Sequence, residues 1–133
     1  MNRYRFVVIL LILTSCAIDA SAFGFGKVKE YCNPLDVPVA DPQILKDGDT
    51  YYVYGTRHGG RGYEAFSSKD LVHWRREGFC FDKNRDSWGQ WDFWAPEVIR
   101  SKDQYYLFYS AYSPVEKRHS VCVAVSDSPK GPF

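Results

Sequence analysis

Two side chains of this 133-residue sequence have the type and setting to do chemistry, Asp41 and Trp94. Asp41 lies in the segment Ala40-Asp41-Pro42, where its carboxylate could bind a hydroxyl group or take a proton from water. Trp94 precedes Ala95-Pro96 and offers a flat apolar ring that suits the C–H face of a cyclic polar ligand such as a sugar. An Asp-Pro pair is also a common turn, and a tryptophan is also a common core residue. The elements that position the two side chains therefore decide between these interpretations.

An internal repeat relates the two segments to each other. From Pro42 to Pro96 the shift is 54 residues, and seven pairs agree: Pro42 on Pro96, Ile44 on Val98, Lys46 on Arg100, Asp49 on Asp103, Tyr51 on Tyr105, Tyr52 on Tyr106 and Tyr54 on Phe108. A shift of 59 residues continues the match, with Ala65 to Ser68 on Ala124 to Asp127. Ala95 falls on Asp41 in this alignment. The repeated scaffold therefore does not require a carboxylate at Asp41. Asp41 is then either a turn or capping residue, or a functional group at the start of an innermost strand that points into the central channel.

Each copy of the repeat is predicted to form short antiparallel strands. The predicted strands are Gln43–Lys46, Thr50–Gly55, Glu64–Ser68 and Trp74–Phe79 in the first copy, and Glu97–Arg100, Gln104–Ser110 and Ser120–Ser126 in the second. Asp47-Gly48 suits a tight hairpin turn, and no stretch after the N-terminal segment has the 3.6-residue apolar spacing of a helix. Units of about 50 residues with four short strands are typical of β-propeller blades.

The sequence therefore predicts an all-β fold, a partial β-propeller over residues 33–133. Blade 1 is expected at about 41–79 and blade 2 at about 95–133, each built on four antiparallel strands, with the second blade ending before its fourth strand. Two blades do not close a propeller, because closed rings typically have four to eight blades. We accordingly expect the sequence to be the front part of a longer protein.

Composition excludes two classes of protein. The 17 Lys and Arg residues nearly balance the 16 Asp and Glu residues, which argues against a nucleic-acid partner held by a basic face. With 45% hydrophobic and 25% charged residues, the chain is not predicted to be disordered. Its 10 Tyr, 9 Phe and 4 Trp residues fit a strand-rich protein that binds carbohydrate.

Residues 1–22 have the layout of a secretory signal, with basic residues followed by eight apolar ones from Phe6 to Leu13. Eight residues are too few to span a bilayer, which takes roughly 20. Two processing sites remain open: a bacterial lipobox ending at Cys16, which would be lipidated, or cleavage after Ala22. We expect an exported protein, in the bacterial periplasm, on the outer membrane as a lipoprotein, or secreted. Contact with a membrane is expected only through Cys16, and residues 23–32 are expected to be a linker.

Three cysteines follow Cys16, an odd number that cannot be paired completely. Cys80 lies between two phenylalanines and Cys122 between two valines, so both are predicted to be small buried residues. No Cys or His spacing typical of a structural zinc site is present. The sequence therefore predicts no metal site.

Six segments in order resemble the N-terminal part of glycoside hydrolase family 43. They are Ala40-Asp41-Pro42-Gln43-Ile44, Tyr51 to Thr56, Ser67 to Trp74, Phe93-Trp94-Ala95-Pro96-Glu97-Val98, Tyr105 to Ser110 and Val125 to Phe133. The resemblance covers roughly residues 33–133 and implies a five-bladed β-propeller, of which this chain would hold about two blades. It also implies an inverting glycosidase that acts on arabinan, xylan and related plant polysaccharides, as an α-L-arabinofuranosidase, endo-arabinanase or β-xylosidase.

The resemblance implies roles for individual residues. Asp41 would be the general base, and Glu97 a supporting hydrogen-bonded residue rather than the acid. Trp94 is predicted to be part of the substrate-binding surface from its own chemistry, because its ring supplies a flat apolar contact for sugar C–H groups. The family's general acid, a Glu, and its pKa-tuning Asp come from later blades, so we expect the 133 residues alone to lack catalysis. A calcium ion in the channel is compatible with the resemblance, but no ligand for it can be assigned and no cofactor is predicted.

The same motifs fit one alternative, a glycan-binding propeller without catalysis or a degenerate remnant of the enzyme. A later Asp and Glu in propeller register would favour the enzyme. Three further acidic residues, Asp82, Asp86 and Asp92, are predicted to lie in a solvated loop, and His119 is predicted to be solvated as well.

Overall fold

A computed structural model describes residues 35–58 and 60–133, and within them the chain is all-β. Seven strands follow one another: β1 Ala40–Asp47, β2 Thr50–Thr56, β3 Gly62–Ser68, β4 Arg75–Asp82, β5 Trp91–Ser101, β6 Gln104–Ser113 and β7 Arg118–Ser126. They form two antiparallel meanders, a four-stranded sheet in the order β1-β2-β3-β4 and a three-stranded sheet in the order β5-β6-β7. In this part of the chain no helix is long and apolar enough to cross a membrane.

The predicted signal segment 1–22 with Cys16, the predicted linker 23–32 and Cys32 lie outside the described residues. Blade 1 corresponds to the four-stranded sheet. Blade 2 shows three strands within the described residues, and the segment after β7 contacts β4, where the Phe133 N–H donates to the Cys80 carbonyl over 2.7 Å.

The two hairpins β1–β2 and β5–β6 confirm the 54-residue repeat. Gly48 and Lys102 occupy the same turn position with φ of 57° and 54°. Asp41 and Ala95 also match, with φ of 49° and 46°, and each lies in a register shift where its strand bulges. A non-glycine residue in this left-handed region is uncommon, so its recurrence 54 residues apart marks a shared backbone geometry.

The 59-residue shift proposed for the third strands is wrong by one residue. Ser68 pairs with Tyr51, and Ser126 pairs with Tyr105, which relates β3 and β7 by 58 residues. Both serine hydroxyls accept a bond from the backbone N–H two residues later, at 3.1 Å. A shift of one residue exchanges the two faces of a strand. The alignment by similar residue types therefore assigned the side chains of β7 to the wrong face.

Strand β5 begins at Trp91, six residues before the predicted start at Glu97. Two register shifts interrupt its pairing with β6, one between Trp91 and Trp94 and one between Trp94 and Glu97. The bulges break the two-residue alternation by which strands are recognised, and they accommodate Pro96, which has no N–H for the ladder. Trp91 and Trp94 therefore lie on a strand rather than in a connection.

Aromatic rings fill the space between the sheets. Tyr63, Phe81, Phe93 and Tyr109 are buried, and their ring centroids lie 5.0 to 6.2 Å apart. Two of these rings come from the first sheet, one from β5 and one from β6. Packing of this kind accounts for the high aromatic content, and it holds the start of β5 against β2 and β3.

Polar contacts lock the register between the sheets. The Gln43 side chain accepts from the Val98 N–H at 3.0 Å and donates to the Val98 carbonyl at 3.3 Å. At the other end of β1, Asp47 accepts from Arg100 and from the Tyr105 hydroxyl, each at 2.7 Å. The second half of β5 is therefore tied to β1 from Gln43 to Asp47.

Candidate active site

Asp41 lies at the bulge near the start of β1, with its side chain exposed. The left-handed backbone there is easier for aspartate than for most residues, because its short polar side chain tolerates it. The bulge turns the carboxylate out of the regular ladder toward the beginning of β5. Local backbone geometry thus separates Asp41 from the side chains that pack between the sheets.

Thr56 joins Asp41 to the second sheet. Its hydroxyl accepts a hydrogen bond from the Ala95 N–H at 2.9 Å and donates to Asp41 Oδ2 at 3.1 Å. A backbone N–H can only donate and an ionised carboxylate can only accept, so the direction of both bonds is determined. The Asp41 carboxylate is therefore oriented by a chain of two hydrogen bonds that begins on β5.

Trp94 is adjacent to that contact, on the strand that supplies Ala95. Its indole is 46% exposed, so it is not a core residue between the two described sheets. Its carbonyl accepts a hydrogen bond from the buried Tyr63 hydroxyl at 3.1 Å, which ties its backbone to β3. The indole stacks on His119, with ring centroids 5.4 Å apart and an interplanar angle of 20°. The ring is thus held in place while part of its surface remains accessible.

His119 and Asp92 form part of this surface. His119 is exposed, as predicted, whereas Asp92 lies on a strand and not in the predicted loop. His119 lies on β7 and Asp92 on β5, and His119 Nε2 is 3.1 Å from Asp92 Oδ2. Asp82, the third residue in question, ends β4 and pairs with Arg61 at 2.6 Å. Asp86 does lie in the connection between β4 and β5. Strand β7 begins at Arg118, two residues before the predicted start at Ser120.

Glu97 is not brought to Asp41. It occupies the register position of Gln43, opposite Phe108, and lies next to Val98, which is buried against the first sheet. Because neighbouring side chains on a strand point to opposite faces, Glu97 faces away from the first sheet. It is exposed and has no side-chain hydrogen bond to any described residue. Its supporting role remains a prediction.

A buried carboxylate, Glu64, lies on β3 and was not singled out from the sequence. Its side chain is fully buried, accepts from Arg57 at 2.7 Å and from Arg76, and is 3.5 Å from His58 Nε2. Burial raises the pKa of Glu64, but the hydrogen bond from Arg76 and the charges of Arg76, Arg57 and His58 more than offset it, and the pKa falls below its usual value. Glu64 thus stays ionised and is unsuited to donate a proton as an acid.

No group of three or more His, Cys, Asp or Glu side chains in residues 35–58 and 60–133 is arranged to hold a metal ion.

Comparison with known proteins gives a consistent picture. The family described as Glycosyl hydrolases family 43 matches residues 31–133. The chain is similar to the extracellular endo-α-(1→5)-L-arabinanase of Thermotoga petrophila, with 36% identity over 97% of this chain and 28% of that protein. It is also similar to the β-xylosidase of Formosa agariphila, with 31% identity over 77% of this chain and 18% of that enzyme.

Solved structures agree with these sequence matches. The fold superimposes on a thermostable family-43 glycoside hydrolase with a TM-score of 0.73 and 37% identity, over 78% of this chain and 34% of that one. The chain therefore spans about a third or less of the length of these relatives. The fold is that of a partial β-propeller.

Proposed function

The chain belongs to glycosyl hydrolases family 43, and from that membership we propose that it carries the general base and part of the sugar-binding surface of an inverting glycosidase. The proposed substrates are polysaccharides of the arabinan or xylan type, as the names of the arabinanase and xylosidase relatives suggest. The observation that carries the proposal is the Ala95–Thr56–Asp41 chain of hydrogen bonds, which orients an exposed carboxylate that only the first copy of the repeat has.

Inversion at a sugar carbon needs two carboxyl groups on opposite sides of the ring, roughly 6.5–9.5 Å apart, so that a water molecule fits between one of them and the sugar. Asp41 would take the proton from that water. Thr56 donates to Oδ2, which leaves Oδ1 without a protein partner among the described residues and free to accept from water. Glu64, which is held ionised, and Glu97, which faces away from the first sheet, do not suit the role of the second carboxyl group. We propose that the general acid comes from a later blade, as the family resemblance implies.

Trp94 would hold the sugar beside Asp41. An accessible indole supplies an apolar surface for sugar C–H groups, and its stacking on His119 reduces the entropy lost when a ligand binds. The bond from Tyr63 to the Trp94 carbonyl positions the backbone of the same segment that donates to Thr56. The same segment of β5 thus positions both Trp94 and, through Thr56, the carboxylate of Asp41.

The proposal is tested by assaying the full-length gene product that contains this chain on linear 1,5-α-L-arabinan and on β-1,4-xylan. Proton NMR of the first anomer released distinguishes inversion from retention. We expect hydrolysis of at least one polymer with inverted configuration. Retention would contradict the role of Asp41 as a base acting on water, and binding without hydrolysis would support the alternative of a non-catalytic glycan-binding propeller.

We further propose that the protein is exported as a lipoprotein anchored at Cys16. Several relatives are named as extracellular enzymes, which supports export, and Leu13-Thr14-Ser15-Cys16 suits lipidation. Globomycin, which blocks lipoprotein signal peptidase, is expected to cause accumulation of an unprocessed precursor on immunoblots, whereas a Cys16→Ser variant should not respond. Normal processing in the presence of globomycin would exclude the anchor and leave cleavage after Ala22.

A further inference from the structure

A cavity of about 380 Å³, which we call the basic cavity, lies at the end of the first sheet opposite Asp41. Its walls come from β2, β3, β4 and the segments that follow β3 and β7: Thr50, Tyr52, Ser67, Lys69, Arg75 and Lys130. Thr50 and Thr56 are the two ends of the seven-residue strand β2, so the cavity lies roughly 20 Å from the hydroxyl that binds Asp41. The basic cavity is therefore separate from the candidate active site, and its volume falls in the range of about 300–1,000 Å³ that small-molecule sites occupy.

Packing between described elements forms this cavity. Lys130 follows β7 of the second sheet, and its Nζ lies 3.1 Å from Glu77 Oε2 on β4 of the first sheet. The Tyr54 hydroxyl on β2 donates to the Pro129 carbonyl at 2.6 Å, which fixes the same segment against the first sheet. The cavity thus depends on contacts between the two described sheets and not on an uncovered sheet face.

Three cationic side chains surround the cavity, and one carboxylate lies between two of them. Arg75 donates to Glu77 Oε1 at 2.6 Å, and Lys130 contacts Oε2. Burial raises the pKa of Glu77, but hydrogen bonds from Ser67 and from its two cationic partners more than offset it, and the pKa falls below its usual value. Lys69 has no carboxylate partner among the described residues, and its Nζ donates to a hydroxyl on β2 at 2.7 Å. Three positive charges against one negative charge leave two positive charges in excess.

Unused hydrogen-bond donors indicate the kind of ligand that fits. Lysine has three donor protons and arginine five, and the contacts with described residues use one proton of each lysine and two of Arg75. Tyr52 is only 7% exposed, and its hydroxyl has no hydrogen bond to another described residue. Asp70, which follows Lys69, directs its carboxylate to His73 at 2.8 Å. The cavity therefore offers donors and positive charge, which suit a ligand that brings acceptors and negative charge.

We propose that the basic cavity binds an oxyanion, either the carboxylate of an acidic sugar residue or free phosphate. The guanidinium of Arg75 and the ammonium groups of Lys69 and Lys130 would share the negative charge from different walls. The Tyr52 hydroxyl would donate to one of the oxygens. The site shares no residue with Asp41 and its supports, so the inference does not rest on the proposed function.

The test is a calorimetric titration of the full-length gene product with sodium D-glucuronate and with inorganic phosphate, at low ionic strength because salt screens such contacts. We expect millimolar or tighter binding of at least one of the two anions. Binding of glucuronate alone would identify an acidic sugar as the ligand, and binding of phosphate alone would identify the free anion.

Single substitutions locate the bound anion. Lys69→Gln and Arg75→Gln are each expected to weaken binding by about tenfold, as the loss of a charged hydrogen bond predicts. Arg75→Lys keeps the charge and should retain most of the affinity. Arg85→Gln is the matched control, because it removes one positive charge from an exposed residue in the connection between β4 and β5, and it should have no effect.

Absence of binding by both anions would overturn the proposal, as would wild-type affinity in Lys69→Gln and Arg75→Gln. Both side chains are exposed, so Tm should stay at the wild-type value. Hydrolysis of polymer should also be unchanged in these variants. Failure of anion binding with intact hydrolysis would refute the basic cavity alone, whereas anion binding without hydrolysis would refute the proposed function alone.

Discussion

Replacing Asp41 with asparagine is expected to lower kcat on arabinan or xylan by about a thousandfold, the middle of the range for loss of a general base. The amide has the size of the carboxylate and can still accept from Thr56 Oγ1, so the geometry of the site should be kept. It cannot take a proton from water. KM and oligosaccharide affinity should therefore stay within a few-fold of wild type, and the comparison is made by steady-state kinetics of the full-length gene product.

Asp49→Asn is the matched control for Asp41→Asn. Asp49 is an exposed turn residue at the opposite end of β1, and its replacement should leave kcat unchanged. Glu97→Gln tests an exposed carboxylate three residues after Trp94. A large loss of kcat in Glu97→Gln with near-normal activity in Asp41→Asn would show that the base has been assigned to the wrong residue.

In the full-length gene product, Glu64→Gln is expected to lower the free energy of unfolding by about 3 kcal/mol. The carboxylate is fully buried, and its loss leaves Arg57 and Arg76 without their counter-charge. Both guanidinium groups are partly exposed and can regain water, so the loss should fall at the lower end of the range for a broken buried ion pair. Urea denaturation at pH 7 measures the difference.

The contribution of Glu64 depends on pH in a defined direction. Its pKa is lowered on folding, so its stabilisation is fully present above the ordinary glutamate pKa of about 4.3 and is lost as the pH falls through the folded value. The difference between wild type and Glu64→Gln should therefore shrink below about pH 4. Asp82→Asn, which removes a half-exposed pair with Arg61, should cost less than about 1 kcal/mol at pH 7. Equal losses in the two variants would show that burial of Glu64 adds nothing.

Much of this protein could be read from local features of its sequence. Alternating residues and the Asp47-Gly48 turn predicted strands, because hairpins depend on neighbours along the chain. Comparison of the two copies singled out Asp41, since Ala95 at the equivalent place shows what the scaffold alone requires. Six short segments in order were enough to identify the family, and the family comparisons confirm it.

The tertiary structure decided how these residues meet. Thr56 lies 39 residues before Ala95 in the chain, and only the packing of one sheet on the other makes it the link between Ala95 and Asp41. The same holds for the ion pairs of Glu64 and for the stacking of Trp94 on His119, whose partners come from different strands. Bulges in β5 concealed its start, and a shift of one residue separated the true correspondence between β3 and β7 in the repeat from the proposed one. Strand pairing and sheet packing join residues that are distant along the chain, and periodicity within one segment carries no information about such partners.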